Sequence, residues 1–228
     1  MKKNKFTVMA LLVSFALSGC GSLSNLNKGL IIGGGSGAVV GGAVGAIIGK
    51  GKGAAIGAAI GAAVGTGAGA LIGSKMDKKK RELEALEGAT VETVTDANNL
   101  KAVKVTFDSS ILFGFNSSTL NAASKKALAE FAKKMYDMPD TDLSIQGHTD
   151  NVGTQEANAK VSLSRATSVG NYLSTQGMSK NRMSMEGLGF DVPIADNTTE
   201  AGRAQNRRVE IYVYANEDMI RKAEQEAL

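Results

Sequence analysis

One short stretch of the chain holds several side chains that could take part in catalysis, metal binding or ligand binding. Residues 146–166 read QGHTDNVGTQEANAKVSLSRA and contain the only histidine, His148, beside Thr149 and Asp150, with Arg165 further along. Four interpretations are open: a catalytic His/Asp pair, a metal site, a pocket for a charged ligand, or an ordinary strand, loop and helix. A histidine-based metal site is excluded because the sequence holds no second histidine.

The sequence does not indicate catalysis. His148 ends a predicted strand beside a loop, which is typical of a packing or hydrogen-bonding residue. No motif such as GxSxG supports a serine nucleophile. The GLG at residues 187–189 lacks the third glycine and the following helix of a dinucleotide site. We therefore expect a protein that is not an enzyme and that uses no cofactor.

Arg165 occupies an unusual position on the helix predicted after Asp150. It lies in line with an apolar helical stripe formed by Val161, Val169 and Tyr172. A guanidinium beside a core is costly unless it is paired, because it cannot be neutralised by deprotonation. Asp150, near the helix N-terminus where an anion is favoured, is the nearest partner in sequence.

Two interpretations of this Asp/Arg pair are open from the residues alone. The simpler one is an internal salt bridge that locks the strand to the helix. The other is a binding site for a group with both an ammonium and a carboxylate. Asp150 would then bind the ammonium, and Arg165 would bind the carboxylate in bidentate fashion. Asn158, which precedes Arg165 by seven residues, shares that helix face.

The elements that position these residues follow from hydrophobic periodicity. ATVETV and KAVKVTF alternate as two strands joined by the turn DANN, and NAASKKALAEFAKKMYDM forms an amphipathic helix. DLSIQGH is a strand, residues 153–176 form a second helix closed by Gly177, and RMSMEG and RRVEIYVY form a final strand pair. This order predicts an α+β sandwich of one sheet against helices. The tail NEDMIRKAEQEAL is expected to be a terminal helix.

The N-terminal third is dominated by glycine, which recurs at every fourth position from Gly33 to Gly73. The uncharged stretches 30–49 and 53–73 are each about long enough to cross a bilayer, roughly 20 residues. Residues 30–73 therefore predict a helical hairpin in the membrane, with its glycine stripes facing inward. The region resembles the glycine-zipper region of small outer-membrane lipoproteins. A flexible low-complexity linker is the alternative. Residues 74–88 are expected to be a charged helix or linker.

The N-terminus has the features of a secreted lipoprotein. Residues 1–19 combine a basic start, an apolar run and small residues, which predicts a signal peptide. The tetrad LSGC resembles a lipobox, which implies that Cys20 carries diacylglycerol and begins the mature linker 20–29. Gly21 after the cysteine favours the outer membrane. Without the basic leader the chain is close to neutral, so nucleic-acid binding is not indicated.

The C-terminal domain, residues 89–228, resembles a known family. Thr149-Asp150, VSLSRATSV, GLG and NRRVEI together resemble the OmpA-like peptidoglycan-binding domain, over residues 103–214. The resemblance implies a βαβαββ fold and a pocket for the diaminopimelate of the peptide stem. Its implied ligand-binding residues are Asp150, Arg165, Asn116, Asn158, Arg207 and the backbone amides near Thr149. Gly114 stands where the family often has Asp, and Val161 where it usually has Leu.

These features predict an outer-membrane lipoprotein that binds peptidoglycan non-covalently, with its C-terminal domain in the periplasm. It would tether the outer membrane, whose lipid it contacts, to the cell wall. The alternative is a glycine-zipper membrane assembly, pore or envelope-stress protein that forms homo-oligomers through the hairpin. In that alternative, wall binding only fixes the position of the assembly. Wall hydrolysis is a third, enzymatic hypothesis.

Overall fold

The computed structural model describes residues 66–96, 99–114 and 117–228. The predicted signal peptide, the lipidation site Cys20, the linker 20–29 and residues 30–65 of the predicted hairpin lie outside the described residues. So does the predicted ligand-binding residue Asn116.

The described chain contains both helices and strands. In order they are α1 (Thr66–Leu83), β1 (Ala89–Thr95), β2 (Lys101–Asp108), α2 (Ser109–Leu112), α3 (Ala122–Lys134), β3 (Thr141–Gly147), α4 (Gln155–Thr175), a 3₁₀ turn (Lys180–Arg182), β4 (Met183–Gly187), α5 (Glu200–Asn206), β5 (Arg208–Ala215) and α6 (Glu217–Glu226). The predicted α+β class, with one sheet against helices, is confirmed. The sequence did not predict the short helices α2 and α5.

The five strands form one sheet in the order β1-β2-β5-β3-β4. Strands β3 and β4 are parallel, and every other neighbouring pair is antiparallel. The last two strands are therefore not a pair, because β3 lies between them. Strand β5 is buried along its whole length, as expected for a central strand. Its alternate residues Val209, Ile211 and Val213 lie in the apolar core.

Helix α4 packs unusually close to the sheet because glycines face it. A Cβ atom on Gly147, at the end of β3, would lie 2.0 Å from the backbone oxygen of Ser162. A Cβ atom on Gly187, at the end of β4, would lie 2.4 Å from the backbone nitrogen of Leu163. Both distances are shorter than any real contact, so only glycine allows this approach. The close packing fixes α4 against the ends of β3 and β4.

Helix α1 belongs to the folded domain. It buries Ala68, Ile72, Met76 and Leu83 in the same apolar core as the sheet. It also packs against α6, whose apolar face is formed by Met219, Ile220 and Ala223. The apolar core therefore includes residues that precede residue 89 in the sequence.

Lys79 of α1 anchors this helix to α3. Its side chain is 2% exposed, and its Nζ donates to the carbonyl oxygen of Lys134 at 2.6 Å and to Asp137 Oδ1 at 2.6 Å. Glu82 accepts a further hydrogen bond from the same ammonium. The hydrogen bond from Lys79 is the main cause of the lowered pKa of Asp137. A buried lysine with three acceptors is satisfied, so it fixes the position of α1.

Only the last part of the segment 53–73, which the sequence predicts to cross a membrane, lies within the described residues. Residues 66–73 lie in α1. A Cβ atom on Gly69 would lie 4.0 Å from the Leu100 side chain, and a Cβ atom on Gly73 would lie 3.4 Å from the Lys101 side chain. Here the small residues seat the helix against the start of β2. Within the described ranges, no helix combines the length and the apolarity that a membrane span requires.

Candidate functional site

A cleft of about 880 Å³ opens at one end of the sheet, next to the start of β5. Two backbone hydrogen bonds bring the neighbouring strand ends to this point: Ser109 N donates to Arg207 O at 2.9 Å, and His148 N donates to Arg208 O at 2.9 Å. The cleft is lined by five of the six residues that the sequence predicts as ligand-binding: Thr149, Asp150, Asn158, Arg165 and Arg207. The fold thus gathers residues that lie as far apart in sequence as Thr149 and Arg207.

Asp150 forms its ion pair with Arg207, not with Arg165. Its Oδ2 accepts from Arg207 Nη1 at 2.6 Å, and its Oδ1 accepts from the backbone N–H of Val152 at 3.0 Å. The salt bridge between Asp150 and Arg165, the simpler interpretation of the sequence, is therefore wrong. Arg207 follows α5 and reaches Asp150 across the sheet edge, a tertiary contact that proximity in sequence does not reveal.

Arg165 is a nearly buried cation without a carboxylate partner among the described residues. Its Nε donates to Ser117 O at 3.2 Å, and its guanidinium carbon lies 5.4 Å from the centre of the Phe113 ring. Burial lowers the pKa of Arg165, and the positive charge of Arg207 lowers it further, while Asp150 opposes both effects. An anion that enters the cleft would neutralise this charge.

Two further charged residues, Glu200 and Arg203, line the cleft. The sequence did not identify them as site residues. Glu200, in the first turn of α5, accepts from Arg207 Nη2 at 2.7 Å and from Arg203 Nη2 at 2.7 Å. The hydrogen bond to Asp150 is the main cause of the raised pKa of Arg207, and Glu200 adds to it. No pattern in the sequence singles out these residues, because they lie on a short, largely exposed helix.

The charged groups of the cleft do not balance. Three guanidinium groups, those of Arg165, Arg203 and Arg207, accompany two carboxylates, those of Asp150 and Glu200. Because both carboxylates are bound by Arg207, the excess positive charge lies at Arg165. The arrangement favours a ligand that brings a carboxylate to Arg165.

Asn158 and Thr149 support the cleft from its sides. Asn158 Nδ2 donates to Val152 O at 2.9 Å and to Thr154 O at 3.1 Å. These bonds hold the loop that contains Val152, whose backbone N–H donates to Asp150. The backbone N–H of Thr149 donates to Gly189 O at 2.8 Å. This amide is therefore already used within the protein, although the family resemblance implies ligand contacts from amides near it.

His148 belongs to a buried polar network on the sheet. Its Nε2 lies 3.5 Å from Glu210 Oε2, while Arg208 Nε and the Tyr212 hydroxyl donate to Glu210 at 2.8 and 2.5 Å. Burial lowers the pKa of His148 and outweighs the opposing effect of Glu210. Burial also raises the pKa of Glu210, but hydrogen bonds and charges from His148 and Arg208 lower it more. His148 is thus a packing residue that does not line the cleft.

Comparison with known families agrees with this architecture. The OmpA family model matches residues 112–207, which include β3, α4, β4, α5 and the cleft residues from Phe113 to Arg207. The model of the YMGG-like Gly-zipper matches residues 1–77, which end within α1.

Relatives and solved structures are similar over the same region. The outer-membrane lipoprotein YfiB of Pseudomonas aeruginosa is 40% identical over 107 residues, which are 47% of this chain and 64% of YfiB. The peptidoglycan-binding protein ArfA of Mycobacterium tuberculosis is 41% identical over 103 residues, which are 45% of this chain and 32% of ArfA. The structure of the cell wall anchor of the T6SS from Pseudomonas aeruginosa superposes with a TM-score of 0.51 at 27% identity, covering 62% of this chain and 97% of the anchor.

The chain spans less than two thirds of the length of these curated relatives, and about one third of the outer membrane protein Omp38 of Acinetobacter baumannii. The similarity lies in the domain that holds the cleft. The chain is therefore similar to the OmpA family over residues 112–207 and to the YMGG-like Gly-zipper family over residues 1–77.

Proposed function

We propose that this protein is an outer-membrane lipoprotein that binds peptidoglycan non-covalently and tethers the outer membrane to the cell wall. The ligand is the diaminopimelate of the peptide stem. The observation that carries the proposal is the buried guanidinium of Arg165, which faces a cleft without a carboxylate partner among the described residues.

The cleft suits the free amino-acid centre of diaminopimelate, which bears one ammonium and one carboxylate. The carboxylate binds the Arg165 guanidinium, whose Nη groups have no hydrogen-bond partner within the described part of the chain, while its Nε donates to Ser117. The ammonium binds Asp150, which keeps spare lone pairs beside its bonds from Arg207 and Val152. Arg207 and Glu200 hold the Asp150 carboxylate in place for this contact.

The relatives support the same function. YfiB is named an outer-membrane lipoprotein, ArfA a peptidoglycan-binding protein, and the T6SS protein a cell wall anchor. The predicted lipid on Cys20 would supply the membrane attachment, with the OmpA-family domain in the periplasm. We propose binding rather than bond cleavage at this cleft, because the neighbouring histidine, His148, is buried and does not line the cleft.

Co-sedimentation with purified peptidoglycan sacculi tests the proposal. The full chain, purified in detergent, should pellet with sacculi from a wall that contains diaminopimelate. Asp150→Ala and Arg165→Ala should each weaken binding by roughly thirtyfold or more, because each removes a charged partner from a partly desolvated contact. Circular dichroism would verify that both variants remain folded.

A matched control uses a second Asp/Arg pair. Asp218 and Arg221 form an exposed ion pair on α6, outside the cleft lining. Asp218→Ala and Arg221→Ala should bind sacculi like the wild type. Equal binding by the cleft variants and the α6 variants would refute the proposed function.

A further inference from the structure

The cleft has an apolar side next to its charged side. Val152 and Val161 both line it, and they are 66% and 36% exposed. An exposed valine by itself is ordinary on a protein surface. These two differ because both line one cleft, together with the carboxylate of Asp150 and the guanidinium of Arg165.

The protein holds Val152 firmly in this exposed position. Its backbone N–H donates to Asp150 Oδ1 at 3.0 Å, and its carbonyl oxygen accepts from Asn158 Nδ2 at 2.9 Å. Both backbone groups are therefore bound to residues of the site. The apolar side chain is kept at the rim, and the same bond that fixes it also orients the Asp150 carboxylate.

Val161 is held by α4. Ala157, Val161 and Arg165 follow one another at four-residue spacing, and all three line the cleft. Residues at this spacing lie on one helix face, about 6 Å apart along the axis. An aliphatic chain that leaves an amino-acid centre bound at Arg165 therefore meets Val161 one helical turn away.

From this arrangement we infer that Val152 and Val161 form an apolar lip that binds the methylene chain of the ligand. The inference rests on the proposed function and specifies its substrate class: a zwitterionic amino-acid centre that carries a long, unbranched aliphatic chain. The charged residues bind the centre, which every amino acid shares. The lip favours ligands with the aliphatic chain over ligands without it, because each methylene group that is buried against the valines adds to the binding free energy.

Two ligands separate these contributions: meso-diaminopimelate, which has the chain, and alanine, which has the same zwitterionic centre without it. Binding of diaminopimelate to the full chain in detergent is measured by calorimetry, and that of alanine by competition against diaminopimelate. Val152→Ser and Val161→Ser should each weaken diaminopimelate binding by roughly three- to tenfold. Both variants should keep the wild-type affinity for alanine.

Leu163 provides the matched control. It is a 46% exposed apolar residue on the same helix but is not part of the cleft lining. Leu163→Ser should bind both ligands like the wild type. All three substitutions replace exposed side chains, so the variants should remain folded.

The outcomes distinguish the lip from the proposed function. If the wild type and the valine variants bind diaminopimelate equally while Asp150→Ala and Arg165→Ala lose binding, the lip is refuted and the proposed function stands. Equal losses for diaminopimelate and alanine would also refute the lip, because the valines would then support the centre rather than the chain. Failure of the wild type to bind diaminopimelate would overturn both.

Discussion

At the scale of single residues, the pairing of charges decides what the cleft can bind. The sequence predicts that Asp150 and Arg165 lie close together, and in the structure both residues line one cleft. It also shows that Arg207 takes the place expected for Arg165 as the partner of Asp150. The consequence is chemical: Arg165 keeps an unneutralised charge, which an internal salt bridge would have removed.

This unneutralised charge should reduce the stability of the unliganded protein. Replacing Arg165 with methionine removes a buried cation while keeping most of the side-chain volume. We expect Arg165→Met to raise the free energy of unfolding by about 1 kcal/mol, measured by urea denaturation, while it abolishes sacculus binding. A lower free energy of unfolding would contradict the absence of a charge partner at Arg165.

Arg182→Met serves as the control, because we expect it to change the free energy of unfolding in the opposite direction. Arg182 is also partly buried, but its Nε donates to Thr141 O at 2.6 Å and its Nη2 to Met138 O at 2.8 Å. Arg182→Met leaves these acceptors without their donors, so we expect it to lower the free energy of unfolding by about 1–3 kcal/mol.

His148 should make the domain sensitive to mild acid. Burial depresses its pKa in the folded state below the ordinary value of 6.5, although Glu210 opposes the shift. The unfolded chain therefore takes up a proton more readily, so stability falls as pH drops below about 6.5, by at most about 1.4 kcal/mol per pH unit. Arg208 and Lys104 add positive charge near the ring and strengthen the effect.

Urea denaturation at pH 7.5, 6.0 and 5.0 measures this dependence. His148→Gln should lose less stability than the wild type between pH 6.5 and 5. Glu210, whose folded pKa is lowered, contributes stability that is lost only as pH falls below its ordinary value of 4.5, so the two effects fall in different ranges. Identical pH profiles for the wild type and His148→Gln would contradict a buried neutral histidine.

At the scale of elements, α1 is the main departure from the sequence interpretation. Its small and apolar residues repeat every four positions, a spacing that fits a helix in lipid and equally a helix packed on a sheet. The structure resolves the ambiguity, because Ala68, Ile72, Met76 and Leu83 contribute to the core and Lys79 bonds to α3. Periodicity predicts a helix with one contact face, but it does not identify the surface that the face contacts.

Removing α1 should destabilise the domain. Compared with residues 66–228, residues 89–228 lose five buried apolar side chains, those of Ala68, Ile72, Met76, Leu83 and Leu86, and the Lys79 anchor. Since burial of one large apolar side chain contributes about 1.5–3 kcal/mol, we expect the shorter fragment to lose at least about 3 kcal/mol of unfolding free energy. Equal urea midpoints and slopes for both fragments would show that α1 is dispensable.

The packing of α4 on glycine predicts a second destabilising change. In Gly147→Ala, the new methyl group meets the backbone oxygen of Ser162, which cannot move away as a flexible side chain would. We expect a loss of at least about 2 kcal/mol in thermal or urea unfolding. Gly114→Ala is the control, because its nearest neighbour would be the Ser117 Cβ at 4.0 Å; similar stability of the two variants would contradict the close packing.

At the scale of the whole molecule, the sequence was sufficient for the fold class and for the similarity to the OmpA family. Strand alternation identifies β1, β2, β3 and β5, and helical periodicity identifies α3 and α4. The order of the strands in the sheet was not predictable in the same way, because β4 and β5 are consecutive but separated by β3. Likewise, Glu200 entered the site only through the fold, since α5 carries it to Arg207.

The most direct test of the central claim is a crystal structure of the protein with meso-diaminopimelate bound. We expect the ligand carboxylate to make a bidentate contact with the Arg165 guanidinium, and the ligand ammonium to lie within about 3 Å of Asp150, at a charge-assisted hydrogen-bond distance. A ligand bound elsewhere on the domain, with Arg165 still lacking an anionic partner, would contradict the central claim.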